Sequence, residues 1–325
     1  MKISVIICAY NALATIEATI DSVLGQTHPA DEILIMDDGS TDGTFARLTN
    51  YGSRIRTLRQ SNQGLSAARN ALCREATGDV LAFLDADDVW HPDYLRIQHE
   101  MLIRQPNAAA SFTGFVDSNQ YQVSAWGSPD SVDRSTAEVI EALNFFKRYN
   151  RSTVQFPPSA WCVKKNIFDQ MGDEPFPVKF PQIGKLTGGE DFWFMNILVL
   201  FGKPVVYHPL PRVMYRLTSG SLSTDRIKMM QLNVYLCELL ALRYQVEAGP
   251  DLLRSMREVF PSIRRNFSKF LMGAGRFSEA RIQIRASIKE AVGLKSILKS
   301  FGLLLVSHLP LRLQPKWPSQ FRQHD

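Results

Sequence analysis

The sequence predicts an α/β fold: a mostly parallel, Rossmann-like sheet flanked by helices, with a helical extension at its C-terminal end. Three observations predict it. Apolar runs of strand length within residues 2–11, 32–36, 55–59 and 80–88 alternate with stretches of helical periodicity. Such alternation implies parallel strands joined by crossover helices. The runs end in polar loops, where ligands of open parallel sheets bind. Finally, residues 226–325 carry 17 Lys and Arg against 7 Asp and Glu and read as helical, whereas the remainder has a net charge of −5.

The elements follow in order. Lys2–Asn11 is a buried strand entering a turn, and the helix after it, through about Leu24, places Leu13, Ile16, Ile20, Val23 and Leu24 near a 3.6 period. Glu32–Met36 is a second strand, ending in the loop Asp37-Asp-Gly-Ser-Thr-Asp-Gly43, with a helix expected from Thr44. A third strand lies near Ile55–Arg59 and leads into Asn62–Asn70, a loop opening a helix of small residues.

Val80-Leu-Ala-Phe-Leu-Asp-Ala-Asp-Asp88 is the most informative stretch. An apolar strand ends in three carboxylates within four residues. Like charges this close repel, and burying one unpaired is costly. A hard divalent cation bound through oxygen answers both problems. The competing reading of Asp88 is a cap on the following helix, whose first turn Pro92 suits.

Ala108–Val116 reads as a further strand, Ser124–Arg134 as a loop, and Phe156–Val163 as a strand preceding the Glu190-Asp191 helix. Trp161 there either stacks on a ligand face or belongs to the core. Pro175–Gly189 reads as a mobile or substrate-shaped loop. Gly188-Gly-Glu-Asp191 then opens a helix running to about Leu200, with two carboxylates at its N-terminus, where the helix dipole favours their charged form.

Ser4–Asn11, Asp37–Thr44, Asn62–Asn70, Leu84–Asp88 and Gly189–Asp191 occur in order and at matching spacing. In this the chain resembles the family 2 glycosyltransferases over roughly residues 1–225. The resemblance implies a GT-A fold and inverting transfer from a nucleotide-diphosphate sugar, most often a UDP-sugar. It implies a nucleotide-sugar half over about residues 1–105 and an acceptor half over about 106–225. Tyr10, beside Ala9, would stack on the base, and Asp38 would accept the uracil imino hydrogen. Asp37 would reach ribose or hold the loop. Gly64 and Ala86 would line the donor, and Arg69 would contact its phosphates or pair with the acidic cluster. Asp85 would face ribose and metal, and Asp87 would ligate Mn²⁺ or Mg²⁺ directly. Asp191 would be the general base, with Glu190 its neighbour or a contact to the acceptor.

One departure stands out. The family often has a histidine two positions after the arginine of a Tyr-Arg pair; here Tyr215-Arg216 is followed by Thr218. Tyr215, Arg216 and Ser221 are still expected to order a loop over the donor. Two other classes compete with a transferase. A glycoside hydrolase also uses paired carboxylates but needs no nucleotide crevice. A non-catalytic nucleotide-sugar-binding protein would not need Asp191.

Composition bounds the rest. Of 325 residues 45% are hydrophobic, enough for a full core. Cys8, Cys73, Cys162 and Cys237 show no paired spacing, which predicts reduced thiols and a cytoplasmic setting. The first strand begins without a signal-peptide pattern, and no window offers the roughly 20 apolar residues of a spanning helix.

In the basic region, Ile227, Met230, Val234, Cys237, Ala241 and Tyr244 mark one helix face, Leu252–Met272 a second helix, and Ile282, Ile284, Ile288 and Val292 a third. The tail Leu294–Leu313 adds Ile297, Leu298, Phe301 and Leu303–Val306 among basic residues. It is expected either to lie on an anionic membrane surface, near a glycan or lipid-linked acceptor, or to pack as a subdomain with solvated lysines. Nucleic acid does not explain the charge, because no recognised nucleic-acid-binding motif accompanies it.

Overall fold

A computed structural model describes residues 1–117, 137–151, 156–172, 174–180, 184–185, 188–216, 225–291 and 293–308. The loop expected at 124–134, and Thr218, Ser221 and Val292, lie outside these residues. The chain forms two compact units, Met1–Phe145 with Gln155–Ser221, and Phe146–Val154 with Leu222–Asp325.

The first half of the sheet unit alternates as the pattern requires. Its elements are β1 (Ile3–Ala9), α1 (Ile16–Leu24), β2 (Glu32–Asp37), α2 (Thr44–Thr49), β3 (Arg56–Arg59), α3 (Leu65–Glu75) and β4 (Val80–Asp85). β5 (Val89–Trp90), α4 (Tyr94–Arg104), β6 (Ala110–Asp117), β7 (Glu138–Ile140) and α5 (Ala142–Asn150) follow. Then come β8 (Trp161–Lys164), α6 (Lys165–Gln170), the short hairpin β9 (Lys179–Phe180) and β10 (Gly184–Lys185), α7 (Glu190–Leu198) and β11 (Val205–Tyr215).

The main sheet has the order β3-β2-β1-β4-β8-β6-β11-β5, with β7 also on β11. β3, β2, β1 and β4 are mutually parallel, as the alternation predicts. Antiparallel pairs enter where β8 inserts between β4 and β6, so the sheet as a whole is mixed. β1 and β4 are buried almost throughout and carry continuous apolar runs, the pattern of strands covered on both faces. Register matters most for the site. Ala9 pairs with Asp37 and Cys8 with Asp85, so three carboxyl ends finish at one edge.

Trp161 is core. It is fully buried, stacks on Phe194 at 5.7 Å, and its indole N–H donates to the Phe156 carbonyl at 3.1 Å. Asp88 does not cap the next helix; the residue preceding α4 is Asp93. All four cysteines are free thiols.

Besides the end of α5 from Phe146, the described residues of the second unit form four helices: α8 (Arg226–Glu247), α9 (Pro250–Gly273), α10 (Phe277–Glu290) and α11 (Leu294–His308). α9 is central and touches the other three. Met256, Val259, Phe260, Ile263, Phe267 and Leu271 form its buried stripe. Arg264 joins three helices, pairing with Glu238 of α8 at 2.6 Å and Glu290 of α10 at 2.8 Å. On α10, Ile284 is buried but Ile282 is 63% exposed, so the isoleucines grouped by sequence do not share one environment. No helix among the described residues is long and apolar enough to cross a membrane.

Candidate active site

Buried carboxylates at the end of β2 fix the polar loops that follow β2 and β3 at the carboxyl edge. Asp37 is fully buried; its Oδ1 accepts the Ser40 N–H at 3.2 Å, and Oδ2 pairs with Arg59 at 3.0 Å. Of the two tasks expected of Asp37, holding the loop is the one its contacts display. Asp38 is buried too. Its Oδ1 accepts from the Gln60 side chain (2.7 Å) and the Gln63 amide (2.8 Å), and Oδ2 from the Gly64 amide (2.7 Å). Three of its four acceptor sites are thus taken, leaving one Oδ2 lone pair for a ligand. The Gly64 amide is committed to Asp38, so a donor would meet this glycine through its open surface rather than its N–H. Gly39, at φ +79°, allows the loops to close: a Cβ there would lie 2.8 Å from the Asn62 nitrogen.

Tyr10 follows β1 with 52% of its surface exposed. A core tyrosine would be covered, so its ring is free to stack. Ala9, beside it, is buried in the strand.

The acidic end of β4 is organised by Arg69 and by Ser159, the second of which has no role assigned from the sequence. Arg69 on α3 is almost wholly buried. Its Nη2 lies 3.0 Å from Asp85 Oδ1 and its Nη1 3.2 Å from Glu190 Oε1, while the guanidinium sits over the Phe176 ring. Of the two partners expected for Arg69, carboxylates are the ones it finds. It joins the β4 cluster to the first residue of α7. Burial disfavours its charge, but Asp85 and Glu190 more than offset this and raise its pKa.

Ser159, in a single 3₁₀ turn over Pro158–Ala160, accepts the Asp85 N–H at 3.0 Å and donates to Asp88 Oδ2 at 2.5 Å. Asp88 Oδ1 accepts the Arg216 amide at 2.9 Å, and Arg216 Nε donates to the Asp87 carbonyl. Asp88 therefore ties the end of β11 to the acidic loop. The Ala86 carbonyl accepts from Thr15 and Thr19 of the first helical segment, at 2.9 and 3.0 Å. Asn70 holds Phe176 by a two-point amide contact, at 2.6 and 3.1 Å.

Glu190 and Asp191 open α7 behind Gly189, which has φ +75°. Asp191 Oδ1 accepts the Phe192 amide at 2.7 Å and remains partly exposed, whereas Glu190 is buried on Arg69. Burial overrides the helix dipole here. It raises the pKa of Asp191, opposed by the Phe192 N–H, and that of Glu190, with the Asp191 charge adding to the rise. Burial likewise raises Asp85 to about 6, opposed by Arg69 and assisted by the Asp87 charge. The Cys8 thiol behind them is pushed by burial up to about 12 and stays protonated.

No group of three His, Cys, Asp or Glu among the described residues is arranged to hold a metal ion unaided. Asp85 and Asp87 are hard oxygen donors two residues apart. That set fits Mn²⁺ or Mg²⁺ carried in with substrate phosphates, because these ions are often held by one or two carboxylates plus phosphate and water.

Comparison with known proteins agrees with this geometry. The family model described as glycosyl transferase family 2 matches residues 4–166. The putative teichuronic acid biosynthesis glycosyltransferase TuaG of Bacillus subtilis is 44% identical over 117 residues, 35% of this chain and 46% of that protein. The UDP-Glc:alpha-D-GlcNAc-diphosphoundecaprenol beta-1,3-glucosyltransferase WfgD of Escherichia coli is 39% identical over 104 residues, 31% of this chain and 41% of that protein. The matches thus span less than half of either relative. The crystal structure of S. aureus TarS 1–349 in complex with UDP-GlcNAc superposes with a TM-score of 0.67 at 16% identity, covering 95% of this chain and 89% of that one. That likeness establishes the fold, the GT-A type. With the family match extending from β1 through the β4 carboxylates to α6, half of the chain, the protein belongs to glycosyl transferase family 2.

Proposed function

We propose that the chain is an inverting glycosyltransferase that moves a sugar from a nucleoside-diphosphate donor, UDP-linked, to an acceptor hydroxyl. The observation that carries this reading is the convergence of Asp85, Glu190 and, next to it, Asp191 around buried Arg69 at the carboxyl edge of parallel strands. TuaG and WfgD, whose names specify teichuronic acid biosynthesis and a lipid-diphosphate acceptor, support a role in cell-surface polysaccharide or glycolipid assembly at the cytoplasmic side of a membrane.

Tyr10 stacks on the base, and Asp38 offers its remaining lone pair to the base edge. Asp37 holds the loop between them. Asp85 and Asp87 would hold a divalent cation, which when bound would supply positive charge to offset that developing on the departing diphosphate. Asp191 takes the acceptor hydroxyl's proton as the oxygen attacks the anomeric carbon from the face opposite the diphosphate. Its burial-raised pKa makes it a stronger base than a free carboxylate. Arg69 holds Glu190, and through it the start of α7, in register with the donor edge.

The donor assignment is tested by screening nucleoside diphosphates and nucleotide sugars for thermal stabilisation, with and without Mn²⁺. UDP with Mn²⁺ should stabilise the protein, and Asp87→Ala should remove the Mn²⁺-dependent part while leaving the unliganded melting temperature unchanged. A Mn²⁺ effect that persists in Asp87→Ala would take this residue out of the metal site.

The base assignment sets a pH dependence. Asp191 works only when deprotonated, so kcat/KM falls as pH falls through its raised pKa. The acid limb should therefore lie above the ordinary aspartate value of about 4, and it belongs to the coupled carboxylates rather than to one residue. A rate flat down to pH 4 would contradict this.

A further inference from the structure

Helix α11 packs with its polar face inward. Ser296, Ser300, Leu303 and Ser307 follow at helical spacing, and the buried residues of α11 are Ser300 and Ser307. Hydrogen bonds tie this face to α9 and α10. Arg265 Nη1 donates to Ser296 Oγ at 3.0 Å and Ser300 Oγ at 3.4 Å, Ser287 Oγ to Ser300 Oγ at 2.9 Å, and Arg281 Nη1 to the Ser307 carbonyl at 3.1 Å. Leu294, Leu298, Phe301 and Leu305, spaced four, three and four apart, occupy the opposite face with exposures of 71, 59, 47 and 72%. A helix packed for stability alone buries such a stripe and exposes its serines. α11 therefore packs on α9 and α10 through its serines together with half-buried Leu303 and Leu304, and leaves the Leu294–Leu305 stripe outside.

Charge indicates what the stripe meets. α11 carries no acidic residue, and exposed Lys295 and Lys299, each one position after a stripe leucine, flank it. An isologous contact with a second copy would set another region of net charge +10 against these lysines, and the sequence of residues 309–325 offers Arg312, Lys316 and Arg322 against Asp325 alone. An anionic surface is the occupant whose charge complements them. At about 1.5 Å per residue, fifteen residues are too short to span a bilayer but suit a helix lying in its interface.

We propose that α11 is a membrane-surface helix. Its Leu–Phe stripe enters the headgroup boundary of an anionic leaflet, and Lys295 and Lys299 face the lipid phosphates. This holds whichever sugar, if any, the other unit transfers.

The test is sedimentation of the full chain with phosphatidylglycerol–phosphatidylcholine vesicles and with phosphatidylcholine alone. Wild type should bind the anionic vesicles, and binding should weaken as salt is raised. The double variant Leu298→Glu, Phe301→Glu should partition at least about tenfold less, since burying one such side chain fully is worth that much. Its melting temperature, circular dichroism and Mn²⁺–UDP binding should stay at wild-type values, because both residues are exposed. Lys295→Gln with Lys299→Gln should lower binding to anionic vesicles only. Absence of wild-type binding, or equal binding by the glutamate variant, overturns the proposal. So does a drop in melting temperature or a dimer-to-monomer change in that variant, because protein would then cover the stripe.

Discussion

Asp191→Asn is expected to lower turnover by about 100-fold or more, the scale on which a positioned general base contributes. The substitution keeps the shape of the side chain and an oxygen able to accept the Phe192 N–H, so the start of α7 should stay folded. It removes the ability to take a proton. Donor affinity should change little, because the asparagine leaves Asp85, Asp87 and Tyr10 untouched. Steady-state rates with saturating donor, alongside calorimetric titration of UDP, separate the two effects. Near-wild-type turnover would pass the base role to Glu190. That residue is the weaker candidate, since Arg69 already engages its carboxylate in the buried pair.

The largest effect on stability is expected from Arg69→Met. The guanidinium is 3% exposed and pairs with two carboxylates, one of them 8% exposed. Removing one member of a buried pair leaves uncompensated charge and costs about 3–5 kcal/mol. Arg69→Lys should recover only part of this, because a point charge does not bridge two carboxylates as a planar fork does. Urea denaturation of the three proteins measures the series. The deficit should shrink as pH is lowered: without Arg69 the folded-state pKa values of Asp85 and Glu190 rise further above their unfolded values, and such a group favours folding below its unfolded pKa and loses that contribution as pH rises through the folded one. A loss below about 1 kcal/mol would mean that water, rather than Arg69, satisfies these carboxylates.

The same residues mark where sequence reading stops. Strand termini were legible because continuous apolar runs ended in Asp, Gly or Asn. That placed Asp37 and Asp85 at the ends of β2 and β4 and Tyr10 and Asp38 just past β1 and β2, while the Gly188-Gly189 pair marked the start of α7, which Glu190 and Asp191 open. The double pairing of Arg69 was not legible, since Glu190 lies 121 residues away and no local period reports it. Asp88 looked like a cap because capping depends on near neighbours, whereas its real partners, Ser159 and Arg216, come from distant segments. The Pro-Pro-Ser run before β8 was the available hint, as a serine fixed by proline is poised to bond outward. In α11 the sequence showed apolar residues among lysines, but neither the exposed stripe four of them form nor which face packs. That depends on Arg265 and Ser287 of neighbouring helices.

The most direct measurement is a crystal structure of the full chain with UDP and Mn²⁺. The account predicts uracil on the Tyr10 ring, Mn²⁺ between the diphosphate and the carboxylates of Asp85 and Asp87, and Asp191 facing the volume beyond the β-phosphate where the sugar would lie. UDP bound away from the carboxyl edge of β1, β2 and β4, or Mn²⁺ bound without Asp87, would contradict it.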